Sequence, residues 1–228
     1  MKRVILVTNL LAGFCFLNCV CSHRAQAQLL SPATGGQTVL TYVNRLIVNP
    51  PEVAAFGYFT GVTGLPDPLF AGAAGESTAY FTWYLNAPEA VQIANGDAAL
   101  PGSTGVAVLP AGESFSVYYN ATPNQSWANP GSFSAGQLIA TFKSTPGTQT
   151  GSGPVALVTQ SYVLVSSRPF VFKGETYNLA RLLPHGFTFF TLSSNIPLGG
   201  SPVFPLVFTA AGSGVAIGGE LSALPRLF

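Results

Sequence analysis

Between Thr38 and Glu220 the chain is a succession of short runs rich in Val, Thr, Phe and Tyr, cut at short intervals by clusters of Gly, Pro, Asn and Ser. β-branched and aromatic side chains suit a pleated, half-buried surface, and frequent turn residues keep each run short. The runs read as strands over Thr38 to Val48, Ala54 to Thr63, Thr78 to Asn86, Gly105 to Leu109, Ser114 to Asn120 and Gln137 to Phe142. They continue over Val155 to Val165, Phe170 to Lys173, Thr176 to Leu179, Phe187 to Leu192, Val203 to Phe208 and Gly214 to Glu220. Helical periodicity is limited to Glu89 to Ile93 and Leu179 to Leu183, a turn or so each. Parallel α/β architectures need crossover helices, which this pattern lacks. The expectation is an all-β, single-domain antiparallel β-sandwich or β-barrel with little or no helix outside the N-terminal segment.

Composition narrows the class further. Of 228 residues only 7 % are charged while 12 % are aromatic, which argues against a disordered chain and against a charged helical bundle. Lys2 and Arg3 precede an almost uncharged run from Val4 to Cys21, and Ala25-Gln26-Ala27 supplies an A-x-A cleavage signal. This pattern predicts a signal peptide over 1–27, cut after Ala27, and a secreted or periplasmic product spanning 28–228. A retained anchor is the competing reading of the same run, but Asn9 and Asn18 interrupt it. Cys15, Cys19 and Cys21 all fall inside the signal, so the mature chain is expected to hold neither disulfide nor thiolate metal site. Beyond residue 27 six basic residues face eight acidic ones, a balance that disfavours nucleic acid as a partner.

Catalytic patterns are weak. His185, the single histidine beyond residue 27, sits in the turn Leu183-Pro184-His185-Gly186 with no G-x-S-x-G elbow, so a nucleophilic triad and a zinc site are not expected. No catalytic residue, metal ligand or cofactor is assigned. A carbohydrate-active enzyme would need two of Glu52, Asp67, Glu76, Glu89, Asp97, Glu113, Glu175 and Glu220 facing each other across a cleft. Gly75-Glu76-Ser77, Gly112-Glu113-Ser114 and Gly174-Glu175-Thr176 instead read as strand openings, in which Gly turns the chain and Glu lies in solvent at the rim. Ala121 to Ser134 and Ser144 to Pro154 read as long loops, and Asn120-Ala121-Thr122 and Asn124-Gln125-Ser126 match the N-glycosylation pattern incidentally.

The aromatic residues carry the functional expectation. Tyr80, Phe81, Trp83 and Tyr84 fall on both faces of one strand, so either both faces are covered or one lines a cavity. Trp83, Tyr84, Trp127 and Phe189 are the candidate ligand-binding residues, for a small apolar or carbohydrate ligand. The Gly-Glu-Ser/Thr openings and the stretch from Ser132 to Phe142, SFSAGQLIATF, resemble in texture the exported β-barrels of allene oxide cyclase and dirigent-like folds. That resemblance carries over no residue; it implies a barrel able to hold a small hydrophobic ligand. The function expected is that of a non-enzymatic binding or structural surface component, with self-association compatible with the low charge. An outer-membrane barrel fits less well, since Pro225 and Arg226 break the alternation counted back from Phe228 and no membrane span is expected once the signal is cleaved.

Overall fold

The computed structural model describes residues 30–49, 52–87, 91–94, 104–199 and 206–218. The expected signal peptide and the C-terminal ladder from residue 219 onward lie outside the described residues, as do Glu89 and Val203. Thirteen strands are described, in chain order β1 (Thr38–Asn49), β2 (Glu52–Val62), β3 (Phe81–Ala87), β4 (Val91–Ala94), β5 (Thr104–Leu109), β6 (Ser114–Tyr119) and β7 (Gln137–Ser144). They continue as β8 (Gly147–Ser152), β9 (Val155–Ser167), β10 (Phe170–Phe172), β11 (Glu175–Tyr177), β12 (Phe187–Ser194) and β13 (Leu206–Ala216). One helical turn, α1 (Leu179–Leu182), lies between β11 and β12, capped by the Asn178 side chain, which accepts from the Ala180 amide. Among the described residues no helix is long and apolar enough to cross a membrane.

Eight antiparallel strands run β12-β13-β1-β2-β3-β6-β7-β9, and β9 pairs back onto β12 from Phe187↔Tyr162 to Ser194↔Val155, which closes the sheet into a barrel. Closure decides between the two expected architectures: this is one barrel, and its wall has no open edge. Register breaks in β1–β2, β6–β7 and β7–β9 supply the extra twist that bends the sheet shut. A wing of β8, β5 and β4 extends from the N-terminal half of β9.

Three segments differ from the sequence reading. Ser144 to Pro154 is not a loop: Gly147–Ser152 pairs with both β5 and β9, because its Thr and Gln side chains alternate over a backbone that finds ladder partners on each side. A helical turn was expected over Glu89 to Ile93, yet Val91–Ala94 is strand β4 on β5, where pairing overrides a weak local preference. Val203 to Phe208 and Gly214 to Glu220 were expected as two strands. Leu206–Ala216 is one, since Gly212 and Gly214 sit within the ladder against β1 and β12 rather than at a turn.

Alternation sorts the wall. Leu40, Tyr42, Phe59, Phe81, Trp83, Phe115, Val117, Phe142, Tyr162, Phe187 and Phe189 form one interior cluster. Phe115 lies at its centre, with ring centroids 5.1 Å from Trp83, 5.2 Å from Tyr162, 5.5 Å from Phe187 and 5.0 Å from Phe189. One end is plugged by the segment between β9 and β12, which inserts Phe170, Phe172, Tyr177, Leu179, Leu182 and Leu183, all buried. The void remaining there, lined by Leu40, Phe59, Phe81, Phe142, Leu183 and Phe187 among others, is about 10 Å³. The opposite end, where β1 and β12 finish and β2, β6 and β9 begin, holds the cavity described next.

Candidate binding cavity at the barrel mouth

The cavity has a volume of about 320 Å³. Its wall is mainly apolar, with Leu46 and Val48 from β1, Val53 and Ala55 from β2, Leu85 from β3, Val158 from β9, and Phe208 and Ala210 from β13. Trp83, Phe189 and Tyr162 also line it and belong to the aromatic interior cluster below. The wing contributes Leu109 and Gln149.

Polar side chains interrupt this lining, Ser193, Ser194 and Asn195 at the end of β12 among them, and two sets in and beneath the wall contrast. The first is internally satisfied. Gln160 donates to the Pro110 and Thr145 carbonyls at 3.1 Å each and accepts the Tyr162 hydroxyl at 2.9 Å, while Tyr42 and Thr191 hydrogen-bond through their hydroxyls. Burial pushes both tyrosines far above the usual phenol range, so they stay neutral.

The second set is not satisfied. Asn44 Oδ1, Trp83 Nε1 and Glu113 Oε1 are buried and make no hydrogen bond among the described residues. Asn44 and Glu113 are each 7 % exposed and Trp83 is 3 % exposed. Buried polar atoms are nearly always paired in folded proteins, so three orphans lining one cavity mark it as the candidate site; the other unpaired buried side chain among the described residues, Gln125, lies away from it. Each unpaired group costs about 1–3 kcal/mol, a penalty that a bound partner group relieves. Desolvation alone pushes the Glu113 carboxyl up to about 7.

Glu113 corrects the sequence reading. It was expected in solvent at a rim, yet it faces inward. Gly112 does turn the chain, with φ of 94°, but β6 then alternates Glu113, Phe115, Val117 toward the interior. The Glu113 backbone is locked to β7, its amide donating to Ser144 Oγ at 2.9 Å and its carbonyl accepting the Ser144 amide at 3.0 Å. The related openings behave differently: Glu175 is exposed, whereas Gly75 is extended and leads into a 3-10 turn at Glu76–Thr78.

The four residues singled out in the sequence part company. Trp83 and Phe189 line the cavity with ring centroids 6.0 Å apart. Tyr84 and Trp127 lie on the outer wall, where the 120–136 connection folds back along β1, β2 and β3. There Trp127 stacks on Phe133 at 4.8 Å, Phe133 packs 5.0 Å from Phe56, Tyr84 stacks on Phe56 at 6.1 Å, and the Arg45 guanidinium sits 4.7 Å over the Trp127 ring. Thr82 Oγ1 donates to the Phe133 carbonyl at 2.7 Å and pins this strap. Asn120 is buried, its amide donating to Thr82 Oγ1 at 3.1 Å, which removes it from the reach of a glycosyl transfer. His185 is exposed in its turn.

Among the described residues lining the cavity Glu113 is the one carboxylate, so these residues do not assemble the paired acids of a glycosidase there. No group of three His, Cys, Asp or Glu side chains that could hold a metal ion occurs among the described residues. No protein-family model, curated protein or solved structure matches the chain. Geometry therefore carries the functional argument: a closed eight-stranded antiparallel barrel, plugged at one end and hollow at the other.

Proposed function

We propose that this protein binds a small, mainly apolar molecule in the barrel mouth, with a polar group of that molecule held at Asn44, Trp83 and Glu113. The observation that carries the reading is the set of three buried, unpaired polar atoms in a mainly apolar cavity of ligand size. A structural protein with no ligand has no reason to retain them, since apolar replacements would cost less.

The two tryptophans make the test direct, one inside and one outside. Titration with 1-octanol is expected to change tryptophan emission in the unmodified protein and in Trp127→Phe, and to leave Trp83→Phe silent. Ala55→Phe, which puts a ring into the cavity, is expected to abolish the response. A response that persists in Ala55→Phe, or none at all in the unmodified protein, overturns the reading.

A second reading has its own observation. On the outer wall of β9 and β12, Val155, Leu157, Val163, Val165, Phe190 and Leu192 are exposed, between 42 % and 59 %. An apolar surface of this kind supports a component that assembles through its wall. Analytical ultracentrifugation separates the two: a concentration-dependent oligomer that Leu192→Glu disperses supports assembly, and a monomer at all concentrations removes it.

A further inference from the structure

Apolar cavities differ in which head group they admit, and the charges lining this one are one-sided. Among the described residues no Lys, Arg or His lines it, and Glu113 is the single carboxyl that does. Lys143 on the neighbouring strand β7 is directed elsewhere: its ammonium donates to the Gly112 carbonyl at 2.7 Å, an exposed contact. The other titratable groups facing Glu113 across the interior are Tyr162 on β9 and Tyr42 on β1, and both remain neutral. Desolvation is what perturbs Glu113, and the nearest described ammonium, Lys143, is held on the Gly112 carbonyl instead of the carboxyl. A carboxylate in this setting is stabilised only by a positive charge brought in from outside or by a proton.

Resting on the cavity-binding reading above, we propose that the ligand is an apolar amine, held as its ammonium by Glu113, with its hydrocarbon part against Leu46, Val53, Leu85 and Val158. Asn44 Oδ1 is a second unpaired acceptor in the same wall, so two of the three orphan atoms suit N–H donors. An anionic ligand such as a fatty carboxylate meets the opposite situation. It would be desolvated next to another carboxyl with no cation to pair with, and the cavity excludes it.

The experiment compares three probes of one chain length on the full chain: n-octylamine, 1-octanol and octanoate, by titration calorimetry at pH 7.5. Octylamine is expected to bind at least about tenfold more tightly than octanol, and octanoate more weakly than either. In Glu113→Gln the preference for amine over alcohol is expected to vanish. A second measurement needs no variant. At pH 6 the free carboxyl is mostly protonated, so binding the ammonium form releases a proton, visible as a dependence of the measured heat on buffer ionisation enthalpy; octanol binding releases none.

Octanol binding without an amine preference overturns the inference and leaves the cavity reading standing. Amine preference that survives in Glu113→Gln, or amine binding without proton release, also overturns it. Failure of all three probes, octanol included, overturns the cavity reading and this inference together.

Discussion

The two ends of the barrel are built from the same strands and differ in what fills them. At the plugged end Phe172, Tyr177, Leu179, Leu182 and Leu183 enter between the walls, and the remaining void, about 10 Å³, is at the limit of what one water needs. At the mouth the wall residues shrink to Ala55, Val53 and Ala210, about 320 Å³ is left unfilled, and three polar atoms stand unpaired. Packing is therefore concentrated at one end, whereas the other is left hollow, as the proposed binding function requires. The contrast follows from chain order: the long β9-to-β12 connection falls at one end and brings most of the stopper, to which Leu65 and Leu69 of the β2–β3 connection add.

The largest effect that tests this contrast is Phe187→Ala. Phe187 is fully buried, lines the small void and packs 4.9 Å from Phe142 and 4.6 Å from Phe189, so truncation is expected to cost about 3–5 kcal/mol in urea unfolding. Glu113→Gln should act in the opposite direction. The folded-state pKa of Glu113 is raised from 4.5 to about 7, so the native state binds the proton more tightly than the unfolded chain does. Stability conferred by the proton is then full below about pH 4.5 and lost progressively as pH rises to about 7. Above pH 7 Glu113→Gln is expected to be more stable than the parent by about 1–2 kcal/mol, less than the full shift because the carboxyl is partly screened by solvent, and its stability should no longer fall over that window. Thermal melts of both proteins from pH 4 to pH 8 check this; parallel profiles would put the mouth on the same footing as the plug.

Asn44→Leu is expected to stabilise by about 1–2 kcal/mol, because the replacement keeps the branched shape, extends its extra volume into the cavity and removes an unpaired oxygen, while weakening octylamine binding. The smallest effect is expected from Trp127→Ala. Its ring is only half-buried against Phe133 and Phe56, so the loss should be roughly 1 kcal/mol, with octanol affinity unchanged because the strap lies outside the wall. A change in octanol affinity would mean that the outer strap and the cavity are coupled through β2 and β3.

Much of this was legible in the chain. Runs such as Thr38 to Val48 and Val155 to Val165 became strands close to the expected bounds because β-branched content and flanking turn residues agreed. Barrel and sandwich stayed undivided because the decisive pairing, β9 with β12, is a tertiary fact that no local pattern encodes. Trp83 stood out as an aromatic, but Glu113 and Asn44 did not. Their signal was present: Glu113 shares a face with Phe115 and Val117, and Asn44 interrupts the apolar series Leu40, Tyr42, Leu46, Val48. Reading each acid by its preceding glycine, instead of by the face it shares two residues on, hid the first. Tyr84 and Trp127 could not be told from cavity residues, since an aromatic on either face of a barrel wall has the same local sequence; only the return of the 120–136 segment places them outside.

The pairing of β1 with β13 has a consequence in time. Thr41 lies opposite Ser213 and Tyr42 opposite Gly212, so strands from opposite ends of the chain are hydrogen-bonded neighbours. During synthesis β1 can pair with β2 almost at once, but its other edge has no partner until Ala216 has been made. Such sequence-distant contacts slow folding and leave an unpaired ladder waiting for most of translation. A chain interrupted before Leu206 would present two open edges, one on β1 and one on β12, and would be a template for strand addition by its own copies. The barrel's last strand is thus also what protects its first.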